Sequence, residues 1–163
     1  MSLFNNRNKK NPYLIAEMAC AHQGNLESAK KLVDVAKDTG FDCIQIQIFN
    51  AESNLLKTAP LYEKIKNIQF SLNEWNELIE FSRSKTQMDL SIFAYDEPSL
   101  DFAINQSPDL IKLNSSELSN PYMLRTVADS EIPFTLGTGA SSLDEIKAAL
   151  KIVKDKNPIL MHG

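Results

Sequence analysis

The feature that most constrains this chain is an alternation repeated along its length: a short apolar run, a burst of polar residues, then a helix pattern. The apolar runs fall at residues 13–19, 42–49, 88–94, 110–113, 132–136 and 158–161, with helices expected at 26–39, 72–85, 97–105, 121–129 and 143–154. Strands joined by helical crossovers cannot pair as hairpins, so this order demands an α/β fold with a parallel sheet. The punctuation agrees with that division. Asn25 precedes the first helix as an N-cap and Gly40 follows it, while Ser71 with Glu74 and Ser142 with Glu145 form two capping boxes. Pro98 falls in the first turn of its helix, where a missing N–H costs nothing. Only residues 50–70 lack a clean period; they read as a long excursion carrying one short helix near 61–66. A closed barrel and an open doubly wound sheet both satisfy this pattern. A strand order reversing about a switch point would mark the second.

Composition excludes several classes. A net charge of −4 with no basic stripe argues against a nucleic-acid partner. No apolar run approaches the ~18 residues of a membrane span. Residues 1–11 are polar and basic and read as a disordered or cloning-derived leader, with the folded domain at 12–163. The apolar run that follows contains Glu17 and makes a poor signal-peptide core, so a cytoplasmic location is expected. Cys20 and Cys43 lie in or beside strands as small hydrophobes, without disulfide or metal spacing.

The chemistry gathers where strands hand over to loops. At those carboxyl ends stand Glu17 and His22, Gln45 and Gln47, Asp96, Lys112 with Ser115 and Glu117, Thr138, and His162. Parallel α/β folds place their ligand sites there. Lys112, with hydroxyls and a carboxylate close behind, suits an anionic substrate such as a phosphorylated small acid. Gln45 and Gln47 alternate with isoleucines and give their strand one polar face. Gly137-Thr138-Gly139 before a helix is either a phosphate cradle or simply a tight turn. Glu17 requires a partner if it is buried, because an unpaired buried charge is costly. His22 and His162 fit loop-ordering or mouth-shaping roles as well as substrate contact.

Taken in order, Ala16-Glu17-Met18 with His22-Gln23-Gly24, the Ile44-to-Gln47 strand, Asp96 with Ser99, Lys112 to Glu117 with Asn120, Gly137-Thr138-Gly139 before Leu143 to Ile146, and Leu160-Met161-His162 resemble the amino-terminal barrel of the sialic acid synthase family. The resemblance covers nearly all of residues 13–163. It implies a parallel (β/α)8 TIM-type barrel, of which about six βα units are present here, whereas a complete barrel takes eight strands and about 250 residues. It also implies a transferase that condenses phosphoenolpyruvate with an N-acetylated aldose, such as N-acetylmannosamine, to a nonulosonic acid with release of phosphate. By position, Glu17 and Glu117 would serve as the catalytic carboxylates, moving protons or holding the sugar. Lys112 and Ser115 would hold phosphoenolpyruvate, with Gln45, Gln47, Asp96, Thr138, His22 and His162 as further substrate contacts. The divalent metal of the family, manganese or magnesium, is implied too, but its ligands are not expected in this chain. Homodimerisation is left open. Four positions depart from the family pattern: Gln45 for a usual Lys, Phe93 for Thr, Gly137 for Ser and Gly163 for Cys. The first three remove a charge and two hydroxyls from the expected phosphate region. The alternative is therefore a catalytically impaired relative that binds a sugar or regulates a partner.

Overall fold

The computed structural model describes residues 12–153 and 156–162; the expected leader and Gly163 lie outside them. The elements run β1 (Ile15–Glu17), α1 (Leu26–Asp38), β2 (Cys43–Ile48), α2 (Ala51–Asn54), α3 (Tyr62–Ile68), α4 (Leu72–Lys85), β3 (Asp89–Ala94), α5 (Glu97–Asn105), β4 (Leu110–Leu113), a 3-10 turn (Ser115–Ser119), α6 (Pro121–Asp129), β5 (Phe134–Gly137), α7 (Leu143–Val153) and β6 (Ile159–Met161). All ladders are parallel and the sheet order is β1-β2-β3-β4-β5-β6. Each strand pairs with its predecessor and the order never reverses, which removes the doubly wound arrangement.

Local chemistry starts the helices as the sequence indicates. Asn25 Oδ1 accepts from Ser28 N at 2.8 Å, and Ser71 and Glu74 close a reciprocal capping box on α4. Pro121 occupies the first turn of α6, behind Asn120 as N-cap. Alternate strand residues then face the helices. Ile44, Ile46, Ile92, Ile111, Leu113, Phe134 and Leu136 join Val33, Trp75, Leu78, Leu100, Met123 and Val153 in one buried cluster. Each such side chain contributes roughly 1.5–3 kcal/mol of burial, so this convex layer carries the fold.

Gln45, Gln47, Ser91, Phe93, Lys112 and Thr135 alternate with those residues and occupy the other face. Lys112 Nζ on β4 nevertheless approaches Glu17 Oε2 on β1 to 3.7 Å. On a flat sheet those strands would lie three spacings, roughly 14 Å, apart. The sheet curls about the polar face, which explains why Gln45, Ser91 and Thr135 are almost fully buried. The result is a parallel half-barrel of six strands.

Several expectations are corrected. The first strand is three residues, not seven, because Ala19 adopts φ 47° and turns the chain. Residues 50–70 hold two short helices rather than one; the missed α2 is capped by Asn50, whose side chain accepts from Glu52 N at 2.8 Å. The fifth strand is shifted later, after Glu131 with φ 60°. The last strand, expected at 158–161, is Ile159–Met161, and Leu160 on it is 46% exposed. The polar burst after β4 folds as a 3-10 turn held tightly to β5. A Cβ on Gly137 would lie 2.8 Å from Ser115 N, closer than any real side chain tolerates.

Candidate active site

Parallel pairing places the polar residues in rows. Glu17, Gln45 and Ser91 are lateral partners in one, and Gln47, Phe93, Lys112 and Thr135 in the next toward the strands' carboxyl ends. The Glu17 carboxylate ties the rows together: Oε1 accepts a short hydrogen bond from Gln47 Nε2, and Oε2 faces Lys112 Nζ. The Lys112 ammonium also sits 4.4 Å above the Phe93 ring. Phe93 stacks on Tyr95 at 4.2 Å, and Phe49 meets Tyr95 edge-on at 6.4 Å. Beneath them Gln45 Oε1 accepts from Ser91 Oγ at 3.3 Å. The site is thus one cation balanced by one carboxylate, beside an aromatic shelf. Burial, followed by the charge of Glu17, pushes the Tyr95 phenol up to about 12, so it keeps its proton at neutral pH and can donate.

A neighbouring polar cleft of about 440 Å³ is lined by Ser53, Asn54, Tyr95, Asp96, Glu117 and Asn120 among others. Glu117 accepts from Ser116 Oγ and Asn120 Nδ2, both at 2.9 Å. Asp96 accepts from Ser99 N at 2.8 Å and from Ser53 Oγ and Asn54 Nδ2 at 2.6 Å. Burial opposes its charge, but the hydrogen bonds from Ser53, Ser99 and Asn54 outweigh that and hold the carboxyl below its ordinary value. Asp96 is therefore an N-cap and a loop anchor whatever else it contacts.

Other residues named from the sequence stand apart. Ser115 opens onto a different cleft, with Gly139, Ser141 and Glu145. Thr138 donates twice to Met161 O, from its amide at 2.8 Å and its hydroxyl at 3.0 Å, and so fastens β5 to β6. Of the two roles open to the glycine loop, the tight turn is formed. Ser142 and Glu145 close the capping box of α7, Glu145 accepting from Ser142 N and Ser142 Oγ. His162 follows β6 and is exposed. His22 is fully buried among aromatics, 4.3 Å from Phe70 and 5.7 Å from Trp75 between ring centroids, with Nδ1 accepting from Gly24 N at 3.1 Å. Burial lowers its pKa, and the neutral ring packs the loop after β1 rather than reaching the polar face. Asn120, named in the sequence pattern without a role, faces the same cleft, and Tyr95 and Thr135 are site-facing residues that the sequence pattern did not single out. Counting in twos from Phe93 and Gly137 would have found Tyr95 and Thr135.

Among the described residues no three His, Cys, Asp or Glu side chains gather to hold a metal, so these residues alone do not build the divalent-metal site that the resemblance implies. No helix among them is long and apolar enough to cross a membrane.

Comparison with known proteins agrees with the geometry. The chain is 31% identical over 156 residues to an N,N'-diacetyllegionaminic acid synthase of Legionella pneumophila, covering 87% of this chain and 44% of that protein. It is 26% identical over 165 residues to an N-acetylneuraminate-9-phosphate synthase of Drosophila melanogaster, covering 92% and 44%. The crystal structure of an N-acetylneuraminic acid (sialic acid) synthetase from Leptospira borgpetersenii, in complex with citrate, superposes with a TM-score of 0.83 at 27% identity, over 93% of this chain and 53% of that one. The chain thus spans about half the length of the proteins it matches. The sequence model of the NeuB family matches residues 32–163, from α1 to the end of the chain and through five of the six strands. The curled sheet, the charged rows at its carboxyl ends and this match together make the chain a member of the NeuB family.

Proposed function

We propose that this chain supplies six of the eight strands of the catalytic barrel of a nonulosonic acid synthase. The enzyme joins phosphoenolpyruvate to an N-acetylated aldose, N-acetylmannosamine or a related sugar, in the cytoplasm. One observation supports this best: a lysine and a glutamate held together at the carboxyl ends of β4 and β1, in a NeuB-family chain. In the reaction, C3 of phosphoenolpyruvate bonds to the aldehyde carbon and the carbonyl oxygen takes up a proton. Water adds at C2 and gives up both its protons, one balancing that taken by the aldehyde oxygen and one leaving with phosphate, as the C2–O ester bond breaks and C2 becomes the ketone.

Each demand has a candidate group. Lys112 offers a charge-assisted contact to the acid substrate. Glu17 is fixed in orientation by Gln47 and lies half exposed at the mouth, placed to accept a proton or a sugar hydroxyl. Glu117 and Asn120 offer acceptor and donor to the sugar from the neighbouring cleft. A divalent metal would supply a Lewis acid for the aldehyde, and the described residues alone do not hold one.

The test is phosphate release by the purified full-length protein, supplied with phosphoenolpyruvate, manganese or magnesium, and a panel of N-acetylated aldoses. Release with one of them is the expected outcome. Sugar binding with no release across the panel would overturn the synthase assignment and leave a binding module.

A further inference from the structure

We propose that Thr135 contacts a substrate oxyanion beside Lys112, an inference that rests on the function proposed above. Its Oγ1 is fully buried and has no hydrogen-bond partner, in a residue only 3% exposed. Leaving a buried hydroxyl unpaired is unfavourable, and valine would fill the same volume without that cost. The polarity of this position therefore calls for a partner outside the chain's own hydrogen bonds.

Register says where that partner sits. Phe134 and Leu136 enter the helix-side core, so Thr135 faces the opposite, concave side. Its lateral neighbours are Lys112 on β4 and Ile159 on β6, one strand spacing away on each side. Ile159 offers no polar atom. Lys112 has donors to spare: its contact with Glu17, at 3.7 Å, is longer than a hydrogen bond, and its other face meets the Phe93 ring. The two other buried unpaired side-chain atoms among the described residues, His22 Nε2 and Trp75 Nε1, lie in the aromatic nest around Phe70. Thr135 alone of the three faces the row that holds the cation.

An ammonium and a hydroxyl on adjacent strands form a two-point seat for a carboxylate or a phosphoryl group. Phosphoenolpyruvate carries both. The hydroxyl donates to one oxygen while Lys112 neutralises the charge, a neutral second donor in place of a second cation.

The test is calorimetric titration of the unmutated protein, Thr135→Val and Thr135→Ser with phosphoenolpyruvate, pyruvate and inorganic phosphate, with thermal melting of each ligand-free protein. Thr135→Ala replaces the valine variant should that one not fold. Thr135→Val is expected to bind phosphoenolpyruvate at least tenfold more weakly while melting at the same or a higher temperature; Thr135→Ser is expected to stay within threefold of the unmutated protein. Weakening confined to pyruvate assigns the seat to the carboxylate, and weakening confined to phosphate assigns it to the phosphoryl group. Unchanged affinity in Thr135→Val, with or without a lowered melting temperature, overturns the inference and leaves the synthase proposal standing. An unmutated protein that binds no phosphoenolpyruvate overturns both.

Discussion

Replacing Gly137 by alanine probes the contact that sets the polar turn against the sheet. The added Cβ would meet Ser115 N at 2.8 Å, the Asn114 carbonyl carbon at 3.3 Å and Ser115 Cα at 3.4 Å, all of them backbone atoms. Comfortable contact begins near 3.5 Å, so the turn must retreat by roughly 0.7 Å. Two features resist that movement: Leu113, immediately before the turn, is fixed in the β4 ladder, and Leu118 within it is buried. Overpacking of this kind costs about 1–3 kcal/mol. For a chain of this length each kcal/mol corresponds to roughly 2–4 °C, which places the loss in melting temperature at about 2–12 °C. Urea denaturation should show a lower midpoint with an unchanged slope. Gly40→Ala is the control: Gly40 has φ 79° and open space around its Cα, so it pays only the left-handed backbone strain of about 1–2 kcal/mol. Both variants lose stability, but only Gly137→Ala moves Ser115 and Glu117 and should therefore weaken substrate binding. A Gly137→Ala protein with an unaltered midpoint and unaltered binding would refute the close-approach explanation.

Asp96→Ala should lose about 1–3 kcal/mol, because it removes the α5 cap and the shorter of the hydrogen bonds made by Ser53 and Asn54, which keep Asn50 O as acceptor. Since the folded carboxyl titrates below its ordinary value near 3.9, that stabilisation is present above this pH and fades as pH falls through the lower folded value; the variant's acid denaturation curve should lack this component. His22 has the same sign for a different reason. Burial lowers its folded pKa below the ordinary ~6.5, so its neutral ring contributes fully above that pH and stability is lost as pH drops through the folded value. His22→Gln should flatten the fall of the denaturation midpoint as pH drops below ~6.5, and an unchanged slope would count against the buried neutral ring. Glu17→Gln should lower phosphate release by about 10²-fold or more with little change in melting temperature, because the side chain is half exposed. Release within threefold of the unmutated protein would remove Glu17 from the chemistry.

The parallel sheet and its helices were legible because the signals are local: alternating isoleucines around Gln45 and Gln47, and capping residues such as Asn25, Ser71 and Ser142 that act within a turn of where they stand. Errors arose where backbone geometry outweighed composition. Ala19 looks like a strand residue and adopts a left-handed conformation. Asn50 capped a helix too short to show a period. At the site, the pairing of Glu17 with Lys112 could not be seen in either residue's neighbourhood, since it depends on sheet curvature across three strand spacings. The sequence placed His22 by its motif, and packing by Phe70 and Trp75 decided its surroundings instead. Gly137 read as a lost hydroxyl; the structure gives it a steric reason, the nearness of Ser115.

Strict succession in the sheet also bears on how the molecule assembles and where it opens. Each ladder closes a loop containing a single crossover, and the longest of these, between β2 and β3, must gather α2, α3 and α4 before it can zip. Loop closure grows costly only slowly with length, and this loop is closed by the longest ladder in the protein, running from Cys43 with Asp89 to Ile48 with Ala94. The β2–β3 pair is therefore expected to nucleate folding, with β4, β5 and β6 expected to add outward one unit at a time. Amide hydrogen exchange should follow that order in reverse, fastest in β6 and in the three-residue β1 and slowest in the paired isoleucines of β2 and β3.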